Sequence, residues 1–162
     1  MSQSEILENI RDRVGRGNLF NGNSFRRGRC SADLTGISEN DRIVVDLDKV
    51  FPSGQEGENQ YECVLFYFDD AENFVVVPIE LKGGGNVDAS KVVRQLKGGT
   101  AFASAYMPSG FQSICRPVLF QNGINKTEVR QFKKPHSRVS FGGKLFEIKL
   151  AACGDKLADV LP

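Results

Sequence analysis

A single α/β domain, with a central mixed sheet flanked by helices, is the fold this sequence predicts. Three observations lead there. Residues 61–68 and 74–82 read as two strands joined by the turn Asp69-Asp70-Ala71-Glu72-Asn73. A helix follows, opened by Asp88 and carrying Val92, Val93, Leu96 and Ala103. A further strand at residues 116–121 completes a strand, helix, strand passage, the order of a βαβ crossover. The length agrees, since 162 residues suit one domain, spanning 1–162, with its own core.

The other elements follow from local pattern. Residues 4–14 predict a helix, because Ile6, Leu7, Ile10 and Val14 recur at helical spacing. Ser4 is positioned to cap it, and Gly15 and Gly17 to end it. Residues 16–29, rich in Gly, Asn and Arg, read as a mobile loop. A short strand is expected within residues 30–37. A longer one is expected over 42–50, where Ile43, Val44, Val45, Leu47 and Val50 are apolar and mostly β-branched. Residues 52–59 carry Pro and Gly and read as a loop, and Gly83-Gly84-Gly85-Asn86 breaks the strand before the helix. Gly98-Gly99 is expected to weaken or bend that helix. Residues 138–152 read as a terminal hairpin turning at Gly142-Gly143. The order is α, β, β, β, α, β, then a hairpin.

Apolar residues make up 40% and charged residues 25%, which argues against wholesale disorder. The net charge of +1 neither supports nor excludes a nucleic-acid partner, because a binding face needs only local charge. No apolar run approaches the roughly 20 residues of a membrane span. The polar start Met1-Ser2-Gln3-Ser4-Glu5 does not resemble a secretory leader, so a cytoplasmic protein is expected. The four cysteines, Cys30, Cys63, Cys115 and Cys153, contain no C-x-x-C pair. Reduced thiols are expected, with no zinc site built on them and His136.

The chemistry concentrates in Ile79-Glu80-Leu81-Lys82. Glu80 and Lys82 are two apart on a strand, so they share a sheet face. A carboxylate and an ammonium ending an apolar strand are costly unless paired or used. With a five-residue loop at 69–73, Phe68 faces Phe74, Phe66 faces Val76, Val64 faces Pro78 and Glu62 faces Glu80. Opposed residues have Cβ atoms about 4.5–5.5 Å apart. Carboxylates that close repel, and a divalent cation between them removes the repulsion. A four-residue loop would instead set Glu62 opposite Leu81, and the apolar pattern on both faces does not choose between them. A surface ion pair is the plainer account of Glu80 and Lys82 taken alone, and Glu62 and Gln95 beside them weigh against it without removing it.

A strand-borne acid (Glu62), a hairpin, the E-x-K of Glu80 and Lys82, then a helix holding Gln95-Leu96: across residues 61–96 this resembles the core signature of the PD-(D/E)XK, or restriction-endonuclease-like, nuclease superfamily. The resemblance implies a restriction-endonuclease-like core and Mg²⁺- or Mn²⁺-dependent hydrolysis of a nucleic-acid phosphodiester, with DNA ahead of RNA. It implies that Glu62 and Glu80 hold the metal, which would lower the pKa of a bound water and neutralise charge on the phosphate. Lys82 would position or deprotonate that water, or stabilise the transition state. Gln95 would orient Lys82 or the metal waters. The first acid is Glu where the usual pattern has Asp, which moves the carboxylate by one methylene. A further acid often completes such a site. Glu5 and Glu8 on the first helix are candidates, with Asp46, Asp48 and Asp33 as rivals.

Basic residues cluster at Arg26-Arg27-Arg29, at Lys91, Arg94 and Lys97, and at Lys126, Arg130, Lys133, Lys134 and Arg138. Lys91, Arg94 and Lys97 share one helix face, next to the Gln95 turn, where a phosphate backbone would pass. A solvated charged face is the plainer account of that spacing. Small stand-alone members of the superfamily work within larger defence assemblies, phage defence included, or repair assemblies, which implies a protein partner. The rival to an enzyme is the same fold as a catalytically silent nucleic-acid- or protein-binding module. Gly83-Gly84-Gly85 does not fit a phosphate loop, because no Lys-Ser/Thr pair follows. His136 has no Cys or Ser partner at useful spacing and is assigned no role.

Overall fold

Three consecutive β-branched and aromatic segments build the centre of the sheet. The computed structural model describes residues 1–52, 62–85 and 87–161. β3 (Arg42–Asp46), β4 (Cys63–Phe68) and β5 (Phe74–Lys82) form an antiparallel meander. α3 (Ala89–Ala103) then crosses over, and β7 (Val118–Gln121) returns parallel to β5. Preceded by α1 (Gln3–Val14), these elements give the expected order α, β, β, β, α, β in a mixed α/β arrangement. The short β6 (Ser113–Cys115) also pairs with β5, ending at Val76, while β7 takes over from Ile79. Pro78, with no N–H to donate, falls in the gap between these two partners.

Several local expectations are corrected. The cap of α1 is Ser2, not Ser4: Ser2 and Glu5 form a reciprocal capping box. β3 stops at Asp46, whose side chain caps the helical turn α2 (Leu47–Val50) where more strand was expected. Gly98-Gly99 does not break α3, which runs 15 residues. A Cβ at Gly99 would lie 3.3 Å from Val64 and 3.4 Å from Pro78, so the glycine lets the helix settle onto the sheet. α4 (Lys126–Phe132), capped by Asn125, was not anticipated. The turn at Gly142-Gly143 does join β8 (Val139–Phe141) to β9 (Lys144–Phe146). β10 (Lys149–Ala152) leaves that hairpin and pairs parallel with β7. Most of the loop expected at 52–59, the start of the strand at Tyr61, and Asn86 lie outside the described residues.

Residues 16–29 hold more than a loop. β1 (Ser24–Arg27) pairs antiparallel with β2 (Cys30–Asp33) across the two-residue turn Gly28-Arg29. This hairpin arm covers one sheet face, with Phe25, Ala32 and Leu34 buried against the odd-numbered residues of β5. α1 and α3 cover the other face. Three features fasten the arm. Arg42 donates to the carbonyls of Gly22 (2.6 Å), Leu34 (3.0 Å) and Ile37 and to Asn23 Oδ1 (3.2 Å). Gly83, at the end of β5, receives the arm's turn so closely that a Cβ there would stand 2.9 Å from the Cys30 backbone nitrogen. Cys30 is disulfide-bonded to Cys153 just beyond β10, while Cys63 and Cys115 are free and buried. The expectation of four reduced thiols is therefore corrected for one pair, whose separation of 123 residues gave no spacing signal. Among the described residues no helix is long and apolar enough to cross a membrane.

The contact at Gly83 is with backbone, which cannot swing aside. Gly83→Ala is expected to lower stability by about 1–3 kcal/mol, as overpacking does. Gly84→Ala, whose Cβ meets nothing within 4 Å, should be close to neutral by comparison. Urea denaturation of both variants checks this, and equal stabilities would show that the arm does not rest on Gly83.

Candidate functional site

The β4–β5 hairpin fixes the first pair of acids. Its register pairs Phe68 with Phe74, Phe66 with Val76, Val64 with Pro78 and Cys63 with Ile79. The five-residue loop is thus the one observed, and one step further brings Glu62 beside Glu80. The Glu62 N–H donates to Glu80 Oε1 at 3.2 Å. Glu62 is also held from β3, since its carbonyl accepts from the Leu47 N–H at 3.1 Å.

Glu80 is 1% exposed, and its Oε2 is buried with no hydrogen-bond partner among the described residues. Burial drives its pKa well above the usual carboxylate range; the charge of Glu62 adds to this, while Lys82, the Glu62 N–H and Lys91 oppose it. Burial also raises the pKa of Glu62, against the charges of Arg27 and Lys82. Lys82 is half-buried at the end of β5. It, Glu62 and Glu80 come together as expected.

The cluster also holds Asp46, one of the rival acids, and Arg27, which sequence did not assign to it. Asp46, at the end of β3, accepts from Arg27 Nη2 at 2.7 Å and from the Asp48 N–H at 3.1 Å. Arg27 Nε reaches Glu62 Oε2 at 3.1 Å, so one guanidinium spans both acids. The same group lies 4.4 Å from the centroid of the Phe25 ring. Burial alone would lower the Arg27 pKa, but the hydrogen bond and charge of Asp46, with Glu62, outweigh it and raise it. The available signal was the Phe25 to Cys30 segment, where Gly28-Arg29 is a two-residue turn.

Of the rival acids, Asp46 joins the cluster and Asp48 adds its charge to Glu62 from an exposed position. Glu5 is taken by its capping box, Glu8 pairs with Arg11 and Arg16, and Asp33 accepts from Thr35. Gln95 is buried on α3. Lys91, Arg94 and Lys97 are exposed along α3, spanning about 9 Å at the rise of an α-helix. Lys91 is near enough to stabilise charged Glu80, while Lys97 Nζ donates to the His136 carbonyl at 3.3 Å.

Among the described residues no group of three or more His, Cys, Asp or Glu side chains is arranged to hold a metal. Mg²⁺ does not require one, because it is commonly bound by one or two carboxylates with waters and substrate phosphate. Glu62 and Glu80 offer an all-oxygen donor set near enough for each charge to act on the other, and Glu80 Oε2 is buried without a partner among the described residues. The pair therefore fits a hard divalent cation and lacks the nitrogen or sulfur ligands that zinc favours.

The raised pKa of Glu80 has a stability consequence. Below the ordinary carboxylate range the group is neutral in both states and costs nothing. As pH rises from there toward the raised folded-state pKa, the unfolded chain ionises while the buried carboxyl stays protonated, so stability falls until both states are charged. Glu80→Gln keeps an acceptor for the Glu62 N–H and removes the charge. It is expected to be about 1–2 kcal/mol more stable than the wild type in mildly alkaline buffer without metal, with the gain vanishing in acid. Urea midpoints at the two pH values test this, and a gain that does not depend on pH would contradict it. No protein-family model, curated protein or solved structure matches the chain, so its function must be argued from the chemistry of this site.

Proposed function

We propose that the chain is a metal-dependent nuclease of the PD-(D/E)XK type that hydrolyses nucleic-acid phosphodiester bonds, DNA ahead of RNA. The observation that carries this is Glu80: a buried carboxylate with one oxygen unpartnered among the described residues, beside Glu62 and followed by Lys82 on the same strand face. Most buried polar oxygens in folded proteins are partnered, and an exception points to strain, a catalytic role or an ion. The order of a strand-borne acid, hairpin, E-x-K and crossover helix bearing Gln95 supports the same reading.

Glu62 and Glu80 would hold Mg²⁺ or Mn²⁺, which supplies an activated water and neutralises phosphate charge. Lys82, next to both acids, positions or deprotonates the attacking water or meets charge developing on the phosphate. Gln95 supports this shell from α3. Lys91, Arg94 and Lys97 carry the nucleic-acid backbone away from the site along α3.

Incubating the protein with plasmid, single-stranded DNA and RNA, in Mg²⁺, Mn²⁺ or EDTA, tests the activity directly. Lys82→Ala is expected to lower the rate by a factor of roughly 10²–10⁴ while leaving fold and binding nearly intact. Glu80→Gln should also lose activity, with partial rescue by excess Mn²⁺ that Lys82→Ala does not share. A Lys82→Ala protein that cuts like wild type would sink the proposal. Replacing Lys91, Arg94 and Lys97 together by Ala should weaken binding across sequences. Each lost phosphate contact should flatten the logarithmic salt dependence by about 0.9. An unchanged salt slope would remove α3 from the contact surface.

One observation favours a second reading. Arg27 already bridges Asp46 and Glu62, as a structural counter-ion would in a silent module. Such a module would bind nucleic acid, or a partner in a defence or repair assembly, without turnover. Nucleic-acid binding with neither cleavage nor metal binding would decide for it.

A further inference from the structure

We infer that Arg27 is an exchangeable counter-ion of the site: it holds Glu62 in the metal-free protein, releases it to the metal, and then presents its freed edge to a substrate phosphate. The inference rests on the metal-dependent reading above and assigns to that site a residue outside its signature.

The first argument is delivery. Arg27 belongs to the arm, a different layer from the strands that carry the acids. The arm is fastened by the Cys30–Cys153 disulfide, by Gly83 and by Arg42. Its last residue before the turn therefore arrives at the acids as part of the architecture. A long surface side chain that merely drifted there would not be backed by such a frame.

The second argument is charge. Asp46, Glu62 and Glu80 meet at the strand ends, and one guanidinium bridges the first two. Glu80 Oε2 is left without a hydrogen-bond partner among the described residues. A divalent cation drawn to that oxygen must share Glu62 with a guanidinium whose Nε stands 3.1 Å from Oε2. Like charges at that spacing repel, so the two compete for Glu62. Asp46 has no such conflict. Its bond to Nη2 is the shorter one, at 2.7 Å, and it tethers Arg27 after Glu62 is given up.

The third argument is geometry. The Arg27 side chain is 34% exposed, so its outer edge has solvent to turn into. Its fork of N–H groups suits a phosphate oxygen as well as a carboxylate. Freed Nε would lie beside the same acids at which the phosphodiester is held.

Arg27→Gln tests this with two readouts of opposite sign. Mn²⁺ affinity, read from the EPR signal of the free ion, should rise about tenfold because the competitor is gone. Binding of a labelled duplex DNA, in a Lys82→Ala background with Mn²⁺ present, should weaken about tenfold. A merely structural role would weaken both. Should Arg27→Gln fold poorly by circular dichroism, Arg27→Lys carries the test: a lysine does not bridge two carboxylates as a fork, so Mn²⁺ affinity should rise by a smaller factor. If the wild type binds Mn²⁺ and the variants bind it no more tightly, the inference falls and the nuclease proposal stands. If neither wild type nor variants bind Mn²⁺, the metal-dependent reading fails and takes the inference with it. Tighter Mn²⁺ with unchanged DNA binding keeps the exchange and overturns the phosphate role.

Discussion

The Asp69 carboxylate holds the candidate site in place from the far end of a hairpin. Its Oδ1 accepts from the N–H groups of Ala71 (3.0 Å) and Asn73 (2.8 Å), and its Oδ2 accepts from Asn73 Nδ2 (3.1 Å). The backbone closes between the Asp69 N–H and the Asn73 carbonyl at 3.0 Å. Within this loop Glu72 takes a left-handed conformation, φ 64°, which costs a non-glycine residue roughly 1–2 kcal/mol. These bonds fix the loop at five residues, and loop length fixes register. A slip of one residue would send every side chain of one strand to the other face. Glu62 would leave Glu80, and the two apolar cores would be exchanged along that strand.

Because both sheet faces are covered, the acids stand where the sheet runs out. Even-numbered residues of β5 face α1 and α3, and odd-numbered ones face the arm. Glu62, Glu80 and Asp46 come from three adjacent strands whose ends meet on one side. From the strands Lys82 acts on both acids, and further compensating charge arrives from the covering layers: Arg27 from the arm and Lys91 from α3. Burying carboxylates is unfavourable unless opposite charge is close. The layers that complete the fold are thus the same ones that make its acidic cluster tolerable.

This division explains what the sequence discloses. The Asp88 cap, the strand ending in Glu80 and Lys82, and the Val92, Val93, Leu96 face of α3 are local signals, and local signals survive folding unchanged. The hairpin register was written in the loop chemistry of Asp69 and Asn73, since apolar residues on both faces of β4 and β5 made the strands themselves uninformative. The arm left a weak trace: β1 and β2 are four residues each, and their buried side chains include the small Cys30 and Ala32. α4 is short and buries only Phe132. The disulfide and the Arg27 bridge join residues far apart in the chain, which no spacing rule reaches.

The cluster is a place where stability and chemistry pull apart. A fold selected for stability alone would fill the Glu80 position with an apolar residue, as at its neighbours Ile79 and Leu81. The chain instead keeps a carboxylate whose second oxygen has no partner among the described residues, and balances charge next door, where Arg27 joins Asp46 to Glu62. That offset is incomplete by construction, because the guanidinium reaches Glu62 and not Glu80 Oε2. The remaining deficit is one buried oxygen beside Glu62, of the kind that a hard cation with its own waters would offset in the proposed function. That deficit costs the protein stability, and in the proposed function a cation bound beside Glu62 would recover the cost.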